Sequence, residues 1–236
     1  MSVVFGIVLD VLTFVAFAPQ IIKLLQRGTN EGVNVLTIFI TNIGNSASVF
    51  NAMIANWTVI KCCNVISSWQ CLQSLLGFLQ IGAVWFNWHA IFLVWLLAFP
   101  PPTTDEEEKE QKRTKLISYI GYPLYFTVWL CGGTAFVIYI NSYFRKDPIH
   151  NIADTFFGVV SAISTLIVWC PQIRTTYLAK SPGSLSIPML CMLVPGGTIT
   201  VVFLAVSFNN PVWVWLPVAI AAVFQAILLV MCLYYT

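Results

Sequence analysis

Long apolar runs, each near the length needed to cross a bilayer, alternate with short polar segments along this chain. They predict seven helices: Val3–Leu25, Val35–Trp57, Leu72–Ala98, Leu116–Asn141, Asp154–Tyr177, Leu185–Phe208 and Val212–Tyr235. A repeat runs through the pattern. Phe17-Ala18-Pro19-Gln20-Ile21-Ile22-Lys23, late in the first run, returns as Trp169-Cys170-Pro171-Gln172-Ile173-Arg174 late in the fifth. The proline removes a backbone N–H and permits a kink, and the glutamine carries polar groups that lipid cannot satisfy. A polar turn with glycine follows each copy, Gly28-Thr29-Asn30-Glu31-Gly32 and then Lys180-Ser181-Pro182-Gly183. The next helix is expected to be broken near its centre in both halves, at Gly44-Asn45-Ser46 and at the matching Pro195-Gly196-Gly197. In the third runs Phe86-Asn87 aligns with Phe224-Gln225, which puts an amide at corresponding points.

The fourth run has no counterpart, so the count reads three, one, three. A triplet crosses an odd number of times and leaves its successor inverted; one extra crossing restores the direction. The pattern therefore predicts an all-α membrane protein of seven transmembrane helices, two parallel three-helix bundles joined by an inversion-linker helix, with any central site at their interface. Residues 1–99 form the first bundle, 100–115 a charged loop, 116–151 the linker helix with the loop after it, and 152–236 the second bundle.

Composition agrees: 58% of the 236 residues are hydrophobic and 8% charged. Lys23, Arg27, Lys109, Lys112, Arg113, Lys115, Arg174 and Lys180 fall in one set of loops, and only Lys61, Arg145 and Lys146 in the other. This places the amino terminus outside or in a lumen and the carboxyl terminus in the cytosol. The first run leads straight into Pro-Gln and a basic turn without a small-residue cleavage pattern, so no cleaved signal is expected. A net charge of +2 gives no reason to invoke nucleic acid. Cys131, Cys170, Cys191 and Cys232 lie within helices as small apolar residues. Cys62, Cys63 and Cys71 lie in or beside a non-cytosolic loop, where Cys71 either bridges to one of the pair or stays free. No His/Cys spacing suggests a metal, and no cofactor is expected. Asn56-Trp57-Thr58 fits a glycosylation sequon but sits close to the membrane.

Polar residues inside the apolar runs are the candidate chemistry. Thr41, Asn45 and Ser48 share one face of the second helix, with Asn42 and Asn51 at its margins. Such a stripe either packs helices or lines a pocket. Asn42, Asn45, Asn87 and Gln225 offer paired donors and acceptors, and Trp85 and Trp88 a flat apolar face, together suited to a small, polar, uncharged or zwitterionic solute. Gln20, Gln172 and His89 lie at similar depth and are expected to form a polar layer with the Pro19 and Pro171 kinks as a gate. His89 is a proton-coupling candidate or a packed, satisfied histidine. Asp10 is either a buried ionisable group of functional weight or an interfacial residue of a helix that begins later.

These residues resemble the PQ-loop repeat proteins, relatives of cystinosin and of the sugar facilitators. The resemblance is strongest at Phe17–Gly32 and Trp169–Pro188, and Phe86-Asn87-Trp88-His89-Ala90 is similar to the third-helix pattern of cystinosin-type members. It implies a membrane transporter in an endomembrane, lysosome or vacuole, in preference to the plasma membrane, with the lipid bilayer and a small polar solute as partners and a homo-oligomer left open. Proton-coupled members carry an acid in the sixth helix before Gly-Gly and another in the seventh; here Leu193 precedes Gly196-Gly197 and the seventh helix has no acid, so coupling through those groups is absent.

Three function classes follow. A solute carrier working by alternating access, with amino acids slightly ahead of sugars, fits the duplicated amides. A seven-helix receptor or cargo receptor shares the topology but lacks Asp-Arg-Tyr after the third helix and Asn-Pro-x-x-Tyr in the seventh. An accessory role in lipid-linked sugar use is the third. No nucleophile–base pair or metal constellation argues for an enzyme.

Overall fold

The computed structural model describes residues 3–27, 35–97, 105–145, 147–181, 187–207 and 210–235. They are helices joined by short turns, with no strand among the described residues: α1 (Val3–Arg27), α2 (Val35–Ala55), a short α3 (Trp57–Cys62), α4 (Ser68–Leu97), α5 (Asp105–Leu124), α6 (Gly133–Tyr143), α7 (Pro148–Ala179), α8 (Ile187–Val202) and α9 (Val212–Tyr234). A π-helical stretch, Tyr125–Gly132, joins α5 to α6, and another, Phe203–Ser207, extends α8. Seven helical segments are long and apolar enough to cross a membrane, with α5, the π-helical stretch and α6 acting as one. The protein is a multi-pass integral membrane protein.

Several boundaries differ from those expected. α7 starts at Pro148, earlier than Asp154, because proline suits a first helical turn and the polar residues beyond it find partners. His150 pairs with Asn141 Oδ1 at 3.0 Å, and Asn51 Nδ2 donates to both the backbone and the side-chain oxygen of Asp154 at 2.8 Å. The charged segment expected as a loop is helical from Asp105, with Lys112 on Glu108 one turn away at 2.5 Å. Neither break signal breaks its helix. α2 runs through Gly44-Asn45-Ser46 because Asn45 Nδ2 donates to Thr41 O and Ser46 Oγ to Asn42 O, so the polar side chains are satisfied one turn back. α8 likewise runs through Pro195, α1 through Pro19 and α7 through Pro171. The turn from Gly28 to Gly32 and the Pro182-Gly183 pair lie outside the described residues.

Within each bundle the third crossing lies between the other two: α4 packs on α1 and α2, and α9 packs on α7 and α8. The bundles meet through α2 on α7 and α1 on α8, so the second helix of each triplet meets the first helix of the other. These two seams are equivalent under exchange of the triplets, which is the relation expected of parallel repeats. The linker crossing packs on α2 and α7, outside one seam.

A disulfide, Cys63–Cys71, closes the α3–α4 connection and leaves Cys62 free. Asn56 of the sequon is buried, its amide donating to Ala52 O at 2.8 Å. It faces protein, not solvent.

Candidate functional site

Between the bundles lies a cavity of about 380 Å³ walled by α1, α2, α4, α7, α8 and α9. Its lining follows the duplication: each lining residue of the first triplet has a lining counterpart in the second, and α8 adds Cys191, Met192, Pro195 and Ile199. Leu9, Leu12, Thr13, Ala16 and Phe17 of α1 correspond, at the spacing that separates Pro19 from Pro171, to Ser161, Ser164, Thr165, Val168 and Trp169 of α7, and all ten line the cavity. The same spacing carries Thr41, Gly44, Asn45 and Ser48 of α2 onto Leu193, Gly196, Gly197 and Thr200 of α8, again all lining. Gln80, Ile81, Val84 and Trp88 of α4 match Pro217, Val218, Ala221 and Gln225 of α9. Even a local hydrogen bond repeats: Thr13 Oγ1 donates to Leu9 O, and Thr165 Oγ1 to Ser161 O, both at 2.9 Å.

Chemistry departs from the symmetry. Beside the α2–α7 seam the wall is hydroxyl- and amide-bearing, through Thr41, Asn45, Ser48, Ser161, Ser164 and Thr165; beside the α1–α8 seam it is mostly apolar, through Leu9, Leu12, Met192, Leu193 and Pro195. Ser48 and Ser161 hydrogen-bond to each other across the seam. Pro195 cannot donate to the carbonyl of Cys191, which leaves a backbone acceptor among the lining residues of α8. None of the described lining residues is Asp, Glu, Lys, Arg or His.

The floor toward the Pro-Gln end is aromatic. Phe17 and Trp169, repeat counterparts two residues before each proline, flank Trp88. Phe17 meets Trp88 edge-on with centroids 5.6 Å apart, and Trp88 also packs in the cluster of Trp169, Leu190 and Leu228. Toward the disulfide end Ala52, Ile81, Leu204 and Val214 pack together from both bundles.

The structure brings together Asn45, Trp88 and Gln225 of the residues singled out by sequence. It puts the others elsewhere. Asn42 is fully buried, its amide donating to Ile38 O at 3.0 Å, and Asn87 donates to Ala83 O at 2.8 Å. Trp85 donates to Ser46 Oγ at 3.0 Å and lines a second, largely apolar cavity of about 480 Å³ against the linker crossing. His89 stacks on Trp85 and pairs with Tyr122 OH at 3.0 Å, and Tyr125 OH joins Ser46 Oγ at 2.7 Å, so this polar knot ties the linker to α2 and α4 outside the central cavity. Gln20 and Gln172 are half-buried, line neither cavity, and make no hydrogen bond to His89. Asp10 follows the lining residue Leu9 but does not line; its Oδ1 is buried without a partner.

Sequence reasoning passed over Gln80. It is 2% exposed, it lines the central cavity, and neither Nε2 nor Oε1 has a hydrogen-bond partner. A buried amide left unpaired costs about 1–3 kcal/mol per group. The available signal was a lone amide in the middle of an apolar run.

Comparison with known proteins fits this architecture. The PQ loop repeat family profile matches residues 1–60 and 155–213, one match in each half. An uncharacterized protein of Schizosaccharomyces pombe, C4C5.03, is 22% identical, over 99% of this chain and 80% of that protein. The solved structure of a eukaryotic SWEET transporter shares the fold, with a TM-score of 0.53 at 11% identity, covering 97% of this chain and 98% of that one.

Proposed function

The chain belongs to the PQ-loop repeat family, and from that premise we propose that it is a transporter which carries a small, polar, net-neutral organic solute through the central cavity by alternating access. The observation that carries this reading is the match of the lining across the two triplets, in which every lining residue of the first has a lining counterpart in the second. A cavity built twice over at the seam of two parallel repeats is suited to opening at either end by rocking one bundle against the other.

Asn45, Gln225 and Trp88 contact the solute in this account, the amides through hydrogen bonds and the indole through its face. With no Asp, Glu, Lys, Arg or His among the described lining residues, a solute with net charge would lack a partner. Neutral amino acids come first and sugars second. Phe17, Trp88 and Trp169 close the Pro-Gln end, and the cluster at Ala52, Ile81, Leu204 and Val214 closes the other. Pro19 and Pro171 serve as hinges, each withholding one intrahelical hydrogen bond just beyond the aromatic floor, with Gln20 and Gln172 as their gate partners. His89 acts through Tyr122 of the linker crossing, outside the solute path.

The lysine and arginine distribution puts the Pro-Gln end in the cytosol. A disulfide at the opposite end supports that orientation, since disulfides persist in oxidising compartments. An endomembrane site, lysosome or vacuole, follows from the resemblance to cystinosin.

Counterflow in proteoliposomes tests the proposal: vesicles loaded with unlabelled L-serine, L-glutamine or D-glucose should accumulate the matching labelled solute, and vesicles loaded with L-arginine should not accumulate labelled arginine. No accumulation of any neutral solute would remove the carrier reading.

A further inference from the structure

We propose that Gln80 is the specificity-determining residue of the central cavity, its amide engaging a group on the solute that offers one uncharged hydrogen-bond donor and one acceptor side by side, as a primary amide or a vicinal diol does. This rests on the carrier reading and deepens it.

The surrounding amides show why Gln80 stands apart. Asn42, Asn45 and Asn87 each turn the side-chain N–H₂ onto a carbonyl one helical turn back, and Asn51 turns its own onto Asp154. Thr13, Thr41 and Thr165 do likewise with their hydroxyls, and Ser48 and Ser161 satisfy each other. Gln80 does none of this. Among the described residues it is the one side chain with two polar atoms sealed from solvent and both unpaired. A donor and an acceptor held together on one planar group, buried at the cavity wall, are complementary to a partner carrying the opposite pair.

Position adds a second argument. The repeat counterpart of Gln80 is Pro217, which has no side-chain polar group, and the adjacent pair Ile81 and Val218 is apolar in both halves. Between the two third helices, polarity at this position is therefore confined to α4. With the repeat axis along the membrane normal, a two-fold lining cannot tell one side of a solute from the other; Gln80 opposite Pro217, like Asn45 opposite Gly197 and Gln225 opposite Trp88, breaks that equivalence. Gln80 also lies two helical turns from Trp88 along α4, toward the disulfide end. It engages the end of the solute remote from the aromatic floor.

A site built to hydrogen-bond a polar group discriminates strongly against a ligand lacking that group, because the buried amide is then left unpaired. Removing the amide reverses the logic. Leucine at this position has nothing to satisfy, so the empty protein should lose nothing, while recognition should fail.

Counterflow with L-glutamine and D-glucose, which carry such a donor and acceptor side by side, and with L-serine, which carries a lone hydroxyl, run beside thermal melts of the solute-free protein, separates the outcomes for Gln80→Leu and Gln80→Glu. A wild type that carries L-serine in preference to both others would overturn the proposed group. The expected result is a Gln80→Leu protein that melts at or above the wild-type temperature, with KM raised by about tenfold or more for the solute that the wild type carries. Gln80→Glu should fail in the same way, since a carboxylate supplies no donor. Unchanged KM in Gln80→Leu overturns the role of Gln80 and leaves the carrier reading standing, and so does a melting temperature several degrees lower, which would mark a structural amide. Wild-type protein that carries none of the three solutes overturns the carrier reading and this inference together.

Discussion

Gly44 of α2 faces Ser164 of α7 so closely that a Cβ added at Gly44 would stand 2.5 Å from the serine Cβ. A serine Cβ is fixed to its backbone and cannot swing aside, so even alanine must push the helices apart. Ser48–Ser161 and Asn51–Asp154 continue the same seam, and small residues there allow the close backbone approach that membrane helices use in place of hydrophobic attraction. Gly44→Ala should cost ~1–3 kcal/mol, the range for overpacking. Gly44→Leu should stop counterflow in protein that still inserts. Fluorescence-detected size exclusion after a temperature ramp measures the first effect; wild-type stability in Gly44→Ala would refute the tight seam.

Trp88 touches Phe17 of one bundle and packs with Trp169 of the other. Trp88→Ala should destabilise by ~3–5 kcal/mol as a large-to-small change in a packed cluster. It should also raise leak of the solute down its gradient, because the floor loses its central ring. Trp88→Phe should keep much of the closure. A leak rate equal to wild type in Trp88→Ala would show that the floor does not gate.

Part of this site was legible in sequence and part was not, for identifiable reasons. Seven apolar runs and two Pro-Gln pairs define spans and pairing at once, since length and a duplicated motif need no knowledge of packing. The stripe of Thr41, Asn45 and Ser48 also survives, because helical periodicity alone puts these residues on one face and all three line the cavity. The third helices were aligned on their amides, Asn87 with Gln225, whereas the lining pairs Trp88 with Gln225. One residue is about 100° of helix rotation, enough to carry Asn87 off the cavity and onto Ala83 O. The break signals misled because glycine and proline propensities describe a helix in water; within a membrane bundle, side chains such as Asn45 and Ser46 return their hydrogen bonds to their own helix.

The two prolines withhold N–H groups at equivalent points yet leave α1 and α7 unbroken, so their contribution concerns motion more than resting shape. The pair Pro19→Ala and Pro171→Ala should lower exchange by about tenfold or more while the melting temperature holds or rises, given that proline inside a helix costs ~3 kcal/mol. Undiminished flux in that double variant would remove the hinge role.

Orientation can be read from the cysteines. Cys63 and Cys71 should appear as one linked peptide after non-reducing digestion, while Cys62 remains alkylatable. In sealed vesicles of known sidedness, an impermeant maleimide should reach Cys62 only from the lumenal face. Labelling of Cys62 from the cytosolic face would invert the topology.

The central claim is a cavity at the seam of two repeats that opens to solvent at one end or the other, and scanning cysteine accessibility tests it most directly. In protein lacking the free cysteines Cys62, Cys131, Cys170, Cys191 and Cys232, with Cys63–Cys71 retained, an impermeant thiol reagent should modify Asn45→Cys and Gln225→Cys and spare Asn87→Cys. Failure of both Asn45→Cys and Gln225→Cys to react from either side of the membrane, or equal reaction at Asn87→Cys, would contradict it.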